Sequence, residues 1–434
     1  MRRSKRPAPH APAHPGTTAL ALMLMTAVTA CGGGPAGSVA SLSGRATTRS
    51  SYTPGLAGMT PGSAAVTARR SLALGRPPGQ SPGQTCVGEA VANMSDAERV
   101  GQLFMVGVSG TGVSDAEARA LRRADVGSIM LTGHSTAGVA RTKALVDRLQ
   151  GLLAVPELNI RSRLLVATDQ EGGKVQALGG PGFSAIPSAV TQGSLPVATL
   201  RSRSAGWGRE LRSADVNTNF APVADTVPAS LGAANAPIGA LSREYGHTPS
   251  VVASHSTAFA EGMADAHVLA TLKHFPGLGR VRGNTDFTAN VTDNQTTRHD
   301  PYLQPFRSGM RAGAPLVMAS LATYTRVDPK NIAAFSPTVL TGMLRGDLGF
   351  TGVIVSDDLG NAVAVRSVPP GERALRFIGA GGDLVLTDNP ATVGPMTTAI
   401  LRRLPNDAGL RTRVGDAVRH ILAAKRRAGL LSCE

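Results

Sequence analysis

Between residues 86 and 434, short apolar runs recur at near-regular intervals, and this repetition limits the chain to a few architectures. The runs are QLFMVGV (102–108), VGSIML (126–131), RLLVATD (163–169) and TNFAPVAD (218–225), followed by VLATLKHF (268–275), PLVMASL (315–321), GVIVSDD (352–358) and GDLVLTD (382–388). Near-continuous apolar stretches suit parallel strands covered on both faces, where neither side meets water. The intervening segments are helix-like. SDAERVGQL and SDAEARALRR each open with a Ser-x-x-Glu capping box, Ser95/Glu98 and Ser114/Glu117. SVVASHSTAFAEGMADA and the closing AGLRTRVGDAVRHILAAKRRAGLL carry a helical period. Eight strands alternating with helices predict an α/β protein with a single catalytic domain, a (β/α)8 TIM-type barrel. The same pattern admits a doubly wound open sheet as the alternative.

The ends of the runs favour the barrel. Asp169, Asp225, Lys273–His274, Asp357–Asp358 and Asp388 all fall at or just past the C-terminal end of a run. One aspartate in such a place is ordinarily a helix cap or a turn residue. Five coinciding ends instead describe the face on which a barrel builds its active site. The sequence has no Cys/His cluster with metal-ligand spacing, and GLGRVRG lacks the spacing of a phosphate-cradling loop. What remains is chemistry run by carboxylates, and glycoside hydrolysis is its commonest two-carboxylate form.

The N-terminal part is of a different kind. MRRSKR is a basic leader, and the 14 apolar residues of TTALALMLMTAVTA are too few to cross a bilayer, which takes about 20. The stretch closes in VTAC, so residues 1–30 read as a signal peptide. VTAC also resembles a bacterial lipobox, which would make Cys31 the lipidated first residue of the mature chain. Residues 31–85, rich in Gly, Pro and Ser, read as a flexible tether, and residues 86–434 as the folded domain. The expected location is outside the cell, lipid-anchored at the outer face of the bacterial membrane or secreted. Cys86 and Cys433 stand at the two ends of the domain, where an oxidising compartment permits a disulfide between them. Net charge is +15, or +11 without the four cations of the leader, which draws the protein toward anionic phospholipid or wall polymers. Scattered cations and only 3% aromatic residues argue against nucleic acid as a partner.

TDQEGGKVQ, NFAPVAD, IGALSREYG, KHFPGLG, GVIVSDDL and GGDLVL occur in an order that resembles glycoside hydrolase family 3. The likeness covers residues 88–430 and is greatest to single-domain bacterial β-N-acetylhexosaminidases that act on peptidoglycan fragments. It implies a (β/α)8 barrel that removes a terminal β-linked sugar, such as N-acetylglucosamine, by a retaining double displacement without a cofactor. The carbohydrate is then the partner, and the membrane enters through the lipid anchor only. Position by position, the resemblance makes Asp357 the nucleophile, Asp169 a sugar-hydroxyl ligand, and Lys273 and His274 a pair that hydrogen-bonds the sugar. Arg243 becomes a substrate-binding residue, in a loop two residues longer than the family's usual one. Asp358, pointing away from Asp357 along the strand, reads as structural.

Departures from the family pattern concern the proton. Its hexosaminidases read KHFPGHG followed by Asp-Ser-His, whose histidine is the acid/base. Here Leu278 holds the first histidine position and Asp286-Phe287-Thr288 replaces the triplet. A threonine hydroxyl is no general acid near neutral pH. Ala177 stands where the family has arginine, and Ser320–Leu321 where it has Ala-His. Three readings follow. In one, Asp286 is the acid/base, its pKa raised from about 4 by burial beside Asp357. In another, the pocket survives in a carbohydrate-binding lipoprotein with weakened catalysis. In the third, Lys273 forms a Schiff base in an aldolase-like barrel. Two further expectations concern His134, which could face the pocket, and Trp207, which reads as core rather than as a sugar platform.

Overall fold

The computed structural model describes residues 82–153 and 160–433. The signal peptide, nearly all of the tether, and Cys31 lie outside the described residues.

All eight apolar runs form strands. They are β1 (Phe104–Ser109), β2 (Ser128–Thr132), β3 (Leu165–Thr168), β4 (Thr218–Asn219), β5 (Leu269–Phe275), β6 (Leu316–Ala319), β7 (Val353–Ser356) and β8 (Val385–Thr387). Each pairs in parallel with its sequence neighbours, and β1 pairs with β8. A parallel bridge from Val355 to Leu384 joins β7 to the segment leading into β8. The sheet therefore closes in chain order, and the doubly wound alternative falls.

The longer helices among the described residues are α1 (Pro82–Asn93), α2 (Asp96–Gln102), α3 (Asp115–Arg123), α4 (Gly138–Leu153) and α5 (Val197–Ser213), then α6 (Pro249–Asp265), α7 (Gln304–Arg311), α8 (Pro370–Ala380), α9 (Val393–Arg403) and α10 (Ala408–Arg427). Shorter turns and a π-helical segment, Thr338–Asp347, complete the layer. Both capping boxes form: Ser95 N donates to Glu98 at 2.6 Å and Ser114 N to Glu117 at 2.8 Å, satisfying amides that each helix leaves open. Trp207 on α5 is buried against Phe259 of α6, centroids 6.1 Å apart, so it belongs to the core as read from the sequence.

Two expectations need correction. The fourth run was expected to be a strand over 218–225, but its ladder stops at Asn219. Pro222 has no N–H to donate, so Phe220–Ala224 touches β3 and β5 only by scattered bonds, such as Phe220 N to Thr168 O at 2.9 Å. Also, α1 begins at Pro82, inside the segment read as tether. Cys86 on this helix is disulfide-bonded; the side chain of Cys433 lies outside the described residues.

The last helix closes the barrel's N-terminal end. Along α10, Arg413 donates to Gly382 O at 3.2 Å, His420 Nδ1 lies 2.9 Å from Asp383 Oδ1, and Lys425 Nζ donates to Gln102 Oε1 at 2.7 Å. Gln102 and Gly382–Asp383 all precede strands, so α10 forms a floor and leaves only the opposite end open.

Candidate active site

At the C-terminal ends of the strands lies a cavity of about 480 Å³. Asp169, Arg243, Lys273, His274, Asp286 and Asp357 all line it, together with Asp358 and Asp388. Six residues singled out from the sequence thus converge, although up to 188 positions separate them.

Lys273 is carried on β5 with its side chain turned into the barrel. Its Nζ lies 2.6 Å from Asp169 Oδ1 and 2.6 Å from Glu171 Oε1. Arg243 grips the same glutamate with Nε at 2.8 Å and Nη2 at 2.6 Å. Burial alone would push the Glu171 carboxyl up, but the two cations outweigh it and hold the pKa at about 2. Burial likewise acts to lower Lys273, and Asp169 and Glu171 overcome it, so its pKa lies above the ordinary lysine value. Sequence reasoning missed Glu171. The signal was present: Gln170–Gly172 is extended, and residues two apart on a strand share a face, so Asp169 and Glu171 point the same way.

His274 is set by Asp225, a fully buried carboxylate. Asp225 Oδ2 accepts from His274 Nδ1 at 2.7 Å, while Oδ1 accepts from the amides of His274 at 3.1 Å and Leu278 at 2.7 Å. With Nδ1 donating to the carboxylate, Nε2 is the nitrogen left for a ligand. The apolar Leu278 side chain lines the cavity in the place where a histidine was looked for.

Asp357 follows β7 directly. Its amide donates to Ala319 O at 3.0 Å and its Oδ1 accepts from Asp358 N at 2.9 Å. No cation pairs with it among the described residues, so its second oxygen is open to the cavity. Asp358 was expected to point away from Asp357, but the strand stops at Ser356 and both line the cavity. Asp358 also accepts from the amides of Gly360 at 2.7 Å, Asn361 at 2.9 Å and Asp388 at 2.9 Å, tying the β7 loop to the end of β8.

The loop after β5 brings a further carboxylate beside Asp357. An Asx turn, Asp286 N to Asn284 Oδ1 at 3.0 Å, folds it. Val363 N to Asp286 O at 3.2 Å and Ala364 N to Thr285 O at 3.1 Å then dock it on the segment following β7. Asp286 lines the cavity while staying partly open to solvent. Loss of water on the cavity side, and then the charge of Asp357, push its pKa up to about 6. Thr288 is exposed and does not line the cavity. Phe287, 80% exposed, stands at the mouth.

Asp388 has no role in the sequence reading beyond its place at a strand end. A Cβ on Gly107 of β1 would lie 2.1 Å from Asp388 Oδ1, so only glycine leaves room for this carboxyl. Burial, then Asp358, push its pKa up to about 6 against a hydrogen bond from Thr132. His134, which could have faced the pocket but as a lone loop histidine is more often only solvated, is exposed, its Nδ1 3.1 Å from Gln176 O, and it does not line the cavity.

A closed parallel barrel that gathers several carboxylates in one cavity at its open end is the setting of a glycosidase. The chain belongs to glycosyl hydrolase family 3. The sequence pattern of the "Glycosyl hydrolase family 3 N terminal domain" matches residues 96–424. A β-hexosaminidase of Xylella fastidiosa (strain M23) is 35% identical over 326 residues, covering 73% of this chain and 92% of its own. One from Stenotrophomonas maltophilia (strain K279a) is 31% identical, covering 72% and 91%. The crystal structure of a β-N-acetylhexosaminidase from Beutenbergia cavernae is 44% identical with a TM-score of 0.74, covering 77% of this chain and 99% of that one. A family 3 β-N-acetylglucosaminidase from Paenibacillus sp. is 29% identical, TM-score 0.69, covering 78% and 63%. As a member of this family the protein hydrolyses O-glycosyl bonds, and its substrate is a carbohydrate.

Proposed function

We propose that the protein is a β-hexosaminidase that removes a terminal β-linked sugar by a retaining double displacement. The observation that carries this reading is the meeting in one cavity of Asp357, which pairs with no cation among the described residues, and Asp286, whose pKa is raised to about 6. Asp357 attacks the anomeric carbon to form a glycosyl-enzyme while Asp286 gives its proton to the leaving oxygen. Asp286, now ionised, takes a proton from the water that attacks the anomeric carbon and releases Asp357. Asp169, Lys273, His274 and Arg243 hold the sugar's hydroxyls. In this reading Asp286 has replaced the family's histidine: Thr288 stands outside the cavity, and Leu278 cannot move a proton. The Schiff-base alternative is disfavoured, because it needs a lysine readily deprotonated and two carboxylates keep Lys273 an ammonium.

The N-terminal leader, VTAC and the tether support export with a lipid anchor at Cys31. The disulfide at Cys86 is in keeping with an oxidising compartment. Peptidoglycan fragments are the carbohydrate such a place offers.

The test is turnover of aryl β-N-acetylglucosaminides and β-glucosides with good and poor leaving groups. Asp357→Ala should lose on the order of 10⁴-fold in kcat on all of them. Asp286→Ala should lose about 10²–10⁴-fold on poor leaving groups and much less on good ones. An acid must be protonated to work, so wild-type rates on poor leaving groups should fall as pH rises through about 6, the value for Asp286. Asp286→Asn should remove that limb and Asp388→Asn should keep it. Asp357→Ala matching wild type would sink the enzyme reading, and sugar binding without turnover would leave a carbohydrate-binding lipoprotein.

A further inference from the structure

The face opposite the cavity carries a second organised feature. Each helix that follows a strand ends on the floor side of the barrel, and some of these last turns, like that of the floor helix α10, carry arginine. Arg122 and Arg123 end α3, Arg311 ends α7, Arg402 lies in the last turn of α9, and Arg426 and Arg427 end α10. All six are exposed, and none forms an ion pair among the described residues. A cation at a helix C-terminus is favoured by the helix dipole, and one per helix needs no other cause. Adjacent unpaired pairs at two helix ends exceed that need. Arg311 and Arg427 also line a single groove of about 410 Å³ between α7 and α10. At the open end the cations stand among carboxylates instead: Arg243, Lys273 and Arg366 line the cavity together with Asp286, Asp357, Asp358 and Asp388.

We infer that the arginine-rich floor is a docking surface for an anionic phospholipid bilayer, which seats the enzyme with its cavity facing away from the lipid. Charge complementarity selects the partner: a bilayer of anionic headgroups is a flat, extended surface that six arginines spread over one face can meet together. The chain's own layout points the same way. Residues 1–81, with their apolar stretch at 17–30, join the described domain at α1, and α1 packs on α10, the floor helix. The described domain therefore begins on a helix packed against the floor. Docking adds a second contact to whatever hold the N-terminal segment has, and a substrate diffusing in solution keeps free access to the cavity.

The experiment measures partition of the full chain between buffer and vesicles, comparing phosphatidylcholine alone with phosphatidylcholine containing one third phosphatidylglycerol. The N-terminal segment is common to both, so the difference isolates the charge effect. The expected result at low salt is a strong preference for the anionic vesicles, largely lost where added salt shrinks the screening length to a few ångströms. The triple variant Arg311→Gln/Arg426→Gln/Arg427→Gln should lower that preference by on the order of a hundredfold. A control triple on exposed helix flanks, Arg119→Gln/Arg141→Gln/Arg203→Gln, should keep most of it. Equal losses in the two triples would mean that net charge alone attracts the lipid, and would overturn the docking face. No preference for anionic vesicles would overturn it as well. Sugar binding to vesicle-bound protein reads the orientation without requiring turnover: access equal to that in solution is expected, and blocked access would place the cavity against the lipid.

Discussion

Lys273 and Lys425 are 2% and 1% exposed, one at each end of the same barrel, yet their surroundings drive them in opposite directions. Lys273 faces Asp169 and Glu171, and their charges keep it an ammonium above the usual lysine range. Among the described residues Lys425 donates to Gln102 Oε1 at 2.7 Å and Ser162 Oγ at 3.4 Å and meets no carboxylate, so burial lowers it to about 7. Burial penalises both charges equally; what differs is whether a carboxylate has been brought in to answer it. At the open end Lys273 is charged and paired. At the floor the same residue type serves packing, and its charge is a burden to the fold.

The largest expected effect comes from undoing the pairing at the open end. Glu171→Gln leaves Arg243 without its anion and Lys273 with Asp169 alone, and should cost about 3 kcal/mol of stability along with most of the turnover. Urea unfolding reads the first and steady-state kinetics the second. Unfolding at the wild-type midpoint would mean that Glu171 does not hold the two cations.

The complementary substitution at the floor should act in the other direction. Between pH 7 and about 10.4 the unfolded chain holds a proton on Lys425 that the folded protein does not, so this group makes stability rise with pH across that window. Below pH 7 its penalty is full and constant. Lys425→Met should therefore stabilise the protein by about 2 kcal/mol at pH 7 and by clearly less near pH 10. A gain independent of pH would show that packing, rather than charge, had been at issue.

The smallest effect sets the rim of the pocket against its interior. Phe287 is 80% exposed, so Phe287→Ala should leave stability and small aryl substrates unchanged. It should raise KM by a few-fold for disaccharides whose leaving sugar reaches the mouth, the scale of one lost stacking contact. An equal change for every substrate would place Phe287 among the residues that shape the interior.

The strands and capping boxes were legible in the sequence because their causes are local: a period, a Ser-x-x-Glu spacing, a charged residue where an apolar run stops. So were the positions of Asp169, Lys273, His274 and Asp357, since barrel strand ends meet on one face whatever lies between them. Other features were decided only in three dimensions. Whether a carboxyl keeps its proton depends on what chain folding sets beside it, and Glu171 meets Arg243 and Lys273 from 72 and 102 residues away. The fit of Asp388 over Gly107 joins the first strand to the last. Thr288 outside the cavity and Asp286 inside it differ by two positions in a loop that its dock on 363–364 alone orients. Local patterns fix which groups reach the open end of the barrel, but the loss of water and the charges of distant neighbours fix what each can do there.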